Sequence, residues 1–462
     1  MSLQSLHIAQ AKAAELLGID ITNREFGELQ NKELYELGDI ELNGQKYPAF
    51  RAYTGPKDKI GKGGIRFALY PSREAGIEVV QELSGEMYAK MLLRRHHKQF
   101  RGAKGLVIVD VWKLSPEEKL EVSRQYEALM EKAGLVGYNK DVPAGDVGTN
   151  GLSDSYAGAY AQNHPDDRYK SAVITGKSPA NGGLKARTSA TGLGAFVSLK
   201  TVMEARGQKT TTVAIQAFGN AGSWFAYYAC ADFDKSIRIQ AISERDGVLW
   251  TNDPEGLPIT REMVEQIGDN ISWNGPKLHS LADMIKKEKP GIHLEIDDDS
   301  SHILTFEADY FVPAAMGDVI TIDAVETLGA RVGVLEIANG PTTAEAHEYL
   351  VASGKIVIPD FLANSGGVDT SIYEWQTNVD LAEGKITRMP DDVEVDAYQR
   401  RSTAEVTREV LEMAQRLETP DLRIAAAAVT LTRLYDDEPT DTTRREKRQL
   451  PLSSLERAGE PE

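Results

Sequence analysis

One cysteine, Cys230, stands in 462 residues, which excludes an intramolecular disulfide framework and fits a reducing compartment. No uninterrupted apolar stretch approaches the roughly 20 residues that span a bilayer. Residues 1–20 lack the basic start and apolar run of a secretory signal peptide, so a cytoplasmic location is expected. Basic residues are scarce: 52 Lys and Arg against 70 Asp and Glu leave a formal net charge of -18. A nucleic-acid partner would call for a basic face, so none is expected. The eight histidines are scattered, and the one adjacent pair lies in the run Arg94-Arg95-His96-His97-Lys98. A solvated or interface-facing helix end explains that pair better than metal ligation, and no metal site is expected. No internal repeat is visible.

What is present is ordinary for a globular chain, 41% hydrophobic and 26% charged, and long enough for two or three domains. Residues 47–53 read as a strand, 72–93 as a long helix capped by Ser72, 105–110 as a short buried strand, and 117–133 as a second amphipathic helix. From about Gly192 strands and helices alternate, the signature of a parallel sheet. Strands are expected at 211–217, 236–243, 310–312, 331–336 and 355–358, with a helix from Gly222 to Ala231. After Gly367 the chain turns helical, ending with residues 421–435. The expected architecture is α/β. A mixed substrate-binding and oligomerisation domain (1–190) precedes a Rossmann-like, doubly wound nucleotide domain (191–365). Helices (366–435) return to the first domain, and a polar tail (436–462) follows.

Phe218-Gly219-Asn220-Ala221-Gly222 lies between a β-branched strand and an apolar helix. Glycines there let the backbone approach a pyrophosphate, and the helix N-terminus supplies N–H groups and a positive dipole. Gly219 and Gly222 take the second and third fingerprint positions; Ala217 holds the first. Glu244, at the end of the next strand, is the candidate acceptor for the adenosine ribose hydroxyls, which favours NAD. Its neighbour Arg245 could receive a 2′-phosphate, so NADP is possible.

Two glycine-flanked lysines carry the chemical signal: Gly61-Lys62-Gly63-Gly64-Ile65-Arg66-Phe67 and Gly102-Ala103-Lys104-Gly105. A substrate with two carboxylates needs cations held close and partly desolvated. Lys62 is expected on backbone that a ligand can approach, and Lys90 near the end of the long helix, pointing into a cleft. Lys104, before a buried strand, is the lysine most open to desolvation. Burial and neighbouring cations lower a lysine pKa towards neutrality, as a general base requires. Asp146, in Asp141-Val142-Pro143-Ala144-Gly145-Asp146-Val147-Gly148-Thr149, is its natural proton partner.

In this order the segments resemble the glutamate/leucine/phenylalanine/valine dehydrogenase family, from about Gly55 to Tyr435. Thr175-Gly176-Lys177, Ser189-Ala190-Thr191-Gly192, Phe311-Val312-Pro313-Ala314-Ala315, Ala338-Asn339-Gly340-Pro341-Thr342-Thr343, Ala363-Asn364-Ser365-Gly366-Gly367-Val368 and Ser371-Ile372-Tyr373-Glu374-Trp375 add to the likeness. The resemblance implies reversible oxidative deamination of an amino acid with NAD(P), in a homohexamer. It makes Lys104 the catalytic lysine and Asp146 its proton-transferring partner. Lys90 binds the α-carboxylate, and Lys62 and Ser371 the side-chain carboxylate. Asn364 lies near the nicotinamide, Thr191 at the cofactor side of the cleft, and Asn220 and Ala221 in the phosphate turn. Members acting on apolar amino acids carry apolar residues at positions 62 and 371; the polar pair here implies glutamate. The alternatives are a nucleotide-binding homologue with a regulatory role, or a dehydrogenase for another amino acid. Three departures from the family pattern stand out. Arg94 to Arg101 replaces an apolar turn and lengthens the spacing of Lys90 and Lys104, Leu106 replaces a glycine, and Asp318 an asparagine.

Overall fold

The computed structural model describes residues 3–19, 32–146, 149, 151–268 and 276–436. It contains two sheets. The first has the order β1-β2-β4-β3-β5, made of β1 (Lys32–Leu42), β2 (Gln45–Thr54), β3 (Ile60–Ala68), β4 (Phe100–Ile108) and β5 (Asp141–Ala144). β1, β2 and β4 run antiparallel, whereas β3 runs parallel to both β4 and β5. Helix α1 (Leu3–Leu17) precedes this sheet. Helices α2 (Arg73–Leu93), α3 (Pro116–Lys132) and α4 (Leu152–Asn163) lie among and after its strands. The Ser72 hydroxyl accepts from Ala75 N–H at 3.1 Å, the N-cap that the sequence predicts for α2.

The second sheet has seven strands in the order β12-β11-β10-β6-β7-β8-β9. They are β6 (Thr211–Gln216), β7 (Ile237–Glu244), β8 (Gly247–Trp250), β9 (Glu295–Asp297), β10 (Ala308–Pro313), β11 (Ala330–Leu335) and β12 (Ile356–Ile358). The five from β12 to β7 are parallel, and β8 and β9 close one edge antiparallel. Helices α5 (Ala190–Ala205), α6 (Asn220–Ala231), α7 (Lys277–Glu288) and α8 (Ala344–Ala352) belong to this lobe. Because β6 is flanked by β7 on one side and β10 on the other, the chain order reverses beside its carboxyl end, where open α/β sheets bind ligands. Three helices follow: α9 (Gly366–Ala382), α10 (Asp392–Arg416) and α11 (Leu422–Asp436). The last returns to the first lobe, where Arg433 Nη1 donates to Leu92 O at 2.8 Å. One buried apolar cluster runs from α1 and α2 through α5 and α6 to α11, and a second lies under the first sheet.

Several expectations shift. β4 begins at Phe100 rather than 105, so Lys104 stands inside the strand. The first glycine-flanked lysine lies inside β3, where the sequence predicts backbone open to a ligand. Its glycines serve internal packing: a Cβ at Gly63 would lie 1.6 Å from Ala103 O, and one at Gly64 3.0 Å from Gly145 O. Helix α6 starts at Asn220, two residues before the expected Gly222. The expected polar tail falls outside the described residues beyond Asp436.

The pair His96-His97 follows the end of α2, and of the two expected settings, solvated or interface-facing, the solvated one does not hold. His97 is buried, and His96 Nε2 lies 2.7 Å from Asp369 Oδ1. Arg94 is buried against Ser365 and Thr403, and Arg101 pairs with Glu33 at 2.9 Å while its guanidinium sits over the Tyr53 ring. The charges of this run are absorbed by intramolecular partners.

Candidate active site

Residues 62, 64 and 66 of β3 and 102, 104 and 106 of β4 share one face of the first sheet, since Lys62 pairs with Gly102 and Arg66 with Leu106. Gly102 lets α2 lie close on that face; a Cβ there would sit 2.1 Å from Ser84 O. Gly64 leaves room for the turn after β5, where a Cβ would approach Asp146 Cβ to 3.2 Å. The glycines of both lysine motifs thus bring helix, strands and loop close enough for their charged ends to meet.

Lys104 Nζ lies 2.9 Å from Asp146 Oδ2, and Arg66 Nε donates to the same oxygen at 2.9 Å. Asp146 N–H donates to Thr149 Oγ1 at 2.5 Å, which fixes the turn; Val147 and Gly148 lie outside the described residues. Burial holds the Lys104 ammonium below the usual lysine range; Asp146 opposes this, and Arg66 and Lys90 add to it. Lys90, on α2, reaches across to the second lobe and donates to Asn339 Oδ1 at 3.1 Å. Burial raises the carboxyl of Glu86, one turn earlier on α2, above the usual range.

Lys62 is 1% exposed. Its Nζ donates to Val142 O (3.1 Å), Pro143 O (3.4 Å) and Thr175 Oγ1 (2.6 Å). Burial pushes the ammonium down to about 7, against the pull of Glu374 and with the push of Arg187. Ser371, on the first turns of α9, accepts from Arg187 Nε at 2.6 Å and donates to Gly367 O at 2.9 Å. Three residues on, Glu374 is fully buried and takes Lys177 at 2.7 Å and Gly176 N–H at 3.1 Å. Beneath β3, Arg51 makes a buried two-pronged pair with Asp141 (2.8 and 2.6 Å) and donates to Gly63 O, which ties the Lys62 strand to β5.

The structure therefore brings Lys104, Asp146 and Lys90 into one electrostatic group. Arg187 binds Ser371 and acts electrostatically on Lys62. Arg187 and Arg66 are the residues that sequence reading missed. Arg66 stood inside a quoted motif without a role. Arg187 precedes the run Ser189-Ala190-Thr191-Gly192, and its only signal was a cation next to that run.

On the opposite lobe, Ala217 has φ +74°, the left-handed backbone a fingerprint glycine would adopt without strain. A Cβ at Gly222 would meet Ala217 O at 2.3 Å, so this glycine packs the helix onto the strand. Nothing lies within 4 Å of a Cβ at Gly219, and α6 starts there with no side-chain cap, so its turn has both room and N–H groups for an anion. Phe218 N–H donates to Glu244 Oε1 at 2.8 Å, and Lys277 pairs with the same oxygen at 3.4 Å; Arg245 is exposed. Thr191, in the first turn of α5, has its hydroxyl 2.8 Å from where a Gly367 Cβ would be. Asn364 Nδ2 donates to Ile337 O (3.1 Å) and Asn339 Oδ1 (2.9 Å), while its buried Oδ1 has no hydrogen-bond partner. An orphan acceptor of this kind fits a carboxamide N–H, and with the uncapped α6 it fits a dinucleotide laid from Gly219 to Asn364.

Such a sheet, with a lysine–aspartate centre facing it from a second lobe, defines a two-lobed α/β dehydrogenase. The family model for Glutamate/Leucine/Phenylalanine/Valine dehydrogenase matches residues 182–440, and that for the Glu/Leu/Phe/Val dehydrogenase dimerisation domain matches 41–156. The chain belongs to this family. Glutamate dehydrogenase A2 of Halobacterium salinarum is 33% identical over 86% of this chain and 86% of its own. The NADP-specific glutamate dehydrogenase A1 of that organism is 30% identical (85% and 86% covered), as is its NAD-specific glutamate dehydrogenase A (77% and 76%). Overall identity is therefore no guide to cofactor preference. Among solved structures, the Leu-bound hetero-hexameric glutamate dehydrogenase of Thermus thermophilus superposes with a TM-score of 0.75 at 25% identity, covering 94% of this chain and 95% of that one.

Proposed function

We propose that the protein catalyses the reversible oxidative deamination of L-glutamate to 2-oxoglutarate and ammonium with NAD(P). The observation that carries this reading is the polar character of these positions: Lys62 is buried under the influence of Arg187, and Arg187 binds Ser371, where an apolar amino acid would need apolar walls. A buried cation left without an anion is costly, so this pocket selects for a carboxylate and against leucine or phenylalanine. A distal carboxylate arriving there would add an anion beside the buried Lys62 ammonium, which burial and Arg187 otherwise disfavour.

The α-carboxylate is taken by Lys90 at the cleft wall, which points the α-carbon towards the second lobe. Bound NAD(P)⁺ supplies the hydride acceptor; Gly219, Asn220, Ala221 and Gly222 hold its pyrophosphate, Glu244 its ribose, and Thr191 and Asn364 its nicotinamide end. The neutral amine of Lys104 then takes a proton from the water that attacks the substrate imine, and Asp146 passes protons to and from the departing amine. Lys90 donates to Asn339 across the lobes, and closure of the cleft there would exclude bulk water from hydride transfer. The first lobe, to residue 190, is the substrate and assembly side, and residues 191–365 are the nucleotide side. The chain assembles as a homohexamer in the cytoplasm, and mass photometry tests the count of six.

An initial-rate scan over glutamate, leucine, valine and phenylalanine with NAD⁺ and NADP⁺ tests the reading. Glutamate should exceed the apolar substrates in kcat/KM by at least about a hundredfold, the worth of one to two buried charge-assisted bonds. A faster rate with any apolar substrate would overturn it.

A further inference from the structure

Asp146 does not face Lys104 alone. Its Oδ2 lies 2.9 Å from Lys104 Nζ and 2.9 Å from Arg66 Nε, so two cations share one carboxylate oxygen. Arg66 comes from β3, Lys104 from β4 and Asp146 from the turn after β5. The other charged groups around Lys104 are Lys90 and Glu86, both from α2, and Tyr70 adds to the surroundings of Arg66. We propose that Arg66 is a positioning residue that keeps Lys104 able to release its proton, by occupying the carboxylate oxygen that would otherwise hold a one-to-one ammonium–carboxylate pair. The proposal rests on the reading of Lys104 as the group that activates water.

The argument turns on which proton in the set can leave. A lone carboxylate at this distance strongly favours the charged lysine, and a lysine that stays charged cannot accept a proton from water. A second cation on the same oxygen divides that attraction and repels the ammonium directly. A guanidinium does not surrender its proton in proteins, so of the two cations only Lys104 can become neutral. Asp146 meanwhile stays in place, because Arg66 holds the same oxygen whether Lys104 is charged or neutral. Burial of Lys104 acts in the same direction.

The test measures the amine directly. Competitive acetylation with trace acetic anhydride, read by mass spectrometry on the peptide containing Lys104, gives the fraction of neutral amine against pH. In Arg66→Gln the midpoint should rise by about one unit or more, a tenfold loss of neutral amine at any pH below it. In Arg66→Lys, which keeps the charge, it should stay within about 0.3 unit of the wild type. The acid limb of the kcat/KM profile for glutamate should move with the labelling midpoint. A lower kcat in Arg66→Gln with both midpoints unmoved would mean a merely structural role and overturn the proposal. If Arg66→Gln fails to fold, Arg66→Lys carries the test alone, and a midpoint displaced by a full unit there overturns it too. Labelling needs no turnover, so a wild type inactive on glutamate would sink the functional reading while the midpoint still reports on Arg66.

Discussion

Replacing Lys62 with leucine should move stability and catalysis in opposite directions. The folded protein holds this amine at about 7, whereas an unfolded lysine titrates near 10.4. A depressed lysine pKa means that the unfolded chain binds the proton more tightly across that window. The penalty is therefore fully present below pH 7, where the folded state must carry a buried charge, and fades as pH rises towards about 10.4. At about 1.4 kcal/mol per unit it is on the order of 4–5 kcal/mol. Leucine removes it but strips a donor from Val142 O, Pro143 O and Thr175 Oγ1. Thr175 can turn its hydroxyl to Pro143 O, already 3.3 Å away, so the loss is about 1–3 kcal/mol. Lys62→Leu should thus be the more stable protein at pH 6, by about 1–4 kcal/mol, with the order reversed near pH 10. Melting curves of both proteins at pH 6, 8 and 10 read this directly. Catalytically, one charge-assisted bond to the distal carboxylate is lost, about 1.5–3 kcal/mol or roughly 10- to 150-fold in kcat/KM for glutamate. Adding Ser371→Val should deepen the loss, while norvaline and methionine fall little or rise. A double variant that still preferred glutamate at wild-type rates would refute the assignment and leave Arg187 as the sole cation for that carboxylate.

Lys104→Ala should abolish turnover with the fold intact; retention of more than about a tenth of kcat would put its contribution under about 1.4 kcal/mol and remove it from the mechanism. Asp146→Asn should be similarly inactive yet still bind cofactor in a fluorescence titration, and normal rates would exclude the aspartate. Glu244→Ser removes the acceptor held by Phe218 N–H and frees Lys277, so NAD⁺ affinity should fall far more than NADP⁺ affinity. Equal losses for both cofactors would show that Glu244 does not read the ribose. Ala217→Gly relieves a left-handed alanine costing about 1–2 kcal/mol and returns about 0.5–1 kcal/mol of chain entropy. Melting should therefore rise slightly, and a clear drop would contradict the strain.

The glycine-flanked lysines were legible because their glycines answer to a local requirement. Gly63, Gly64 and Gly102 let strands, helix and loop approach, and such a requirement leaves a mark in the sequence. β6 and β7 showed themselves through buried β-branched runs. β1 did not, because it is an edge strand mixing half-buried and exposed residues, with charges at Glu33, Glu36, Asp39 and Glu41. β4 was read as starting late since Phe100-Arg101-Gly102 looks like the end of a basic loop. Arg101 is tolerated in the strand only because Glu33 and Tyr53 from neighbouring strands take its charge. Arg187 and Arg66 were invisible for a different reason: an arginine's role depends on which carboxylate or hydroxyl the fold carries to it. Ser371 lies 184 positions from Arg187, and Asp146 80 from Arg66.

The run from Arg94 to Arg101 shows how the fold accommodates a local irregularity of sequence. It departs from the family pattern between Lys90 and Lys104. Its charged side chains find partners beside α9 and on α10: Arg94 is buried against Ser365 and Thr403, His96 meets Asp369, and Arg95 meets Glu409 at 3.0 Å. Asp369 also takes Ser402 at 2.7 Å, and burial is overcome there by His96 and Arg94, which hold its carboxyl below the usual range. The longer turn thus inserts between α9 and α10, and α2 and β4 keep the offsets that bring Lys90 and Lys104 towards Asp146. Extra charge in that turn is offset by a carboxylate two residues before Ser371. The same irregularity therefore helps to fix the helix that presents Ser371.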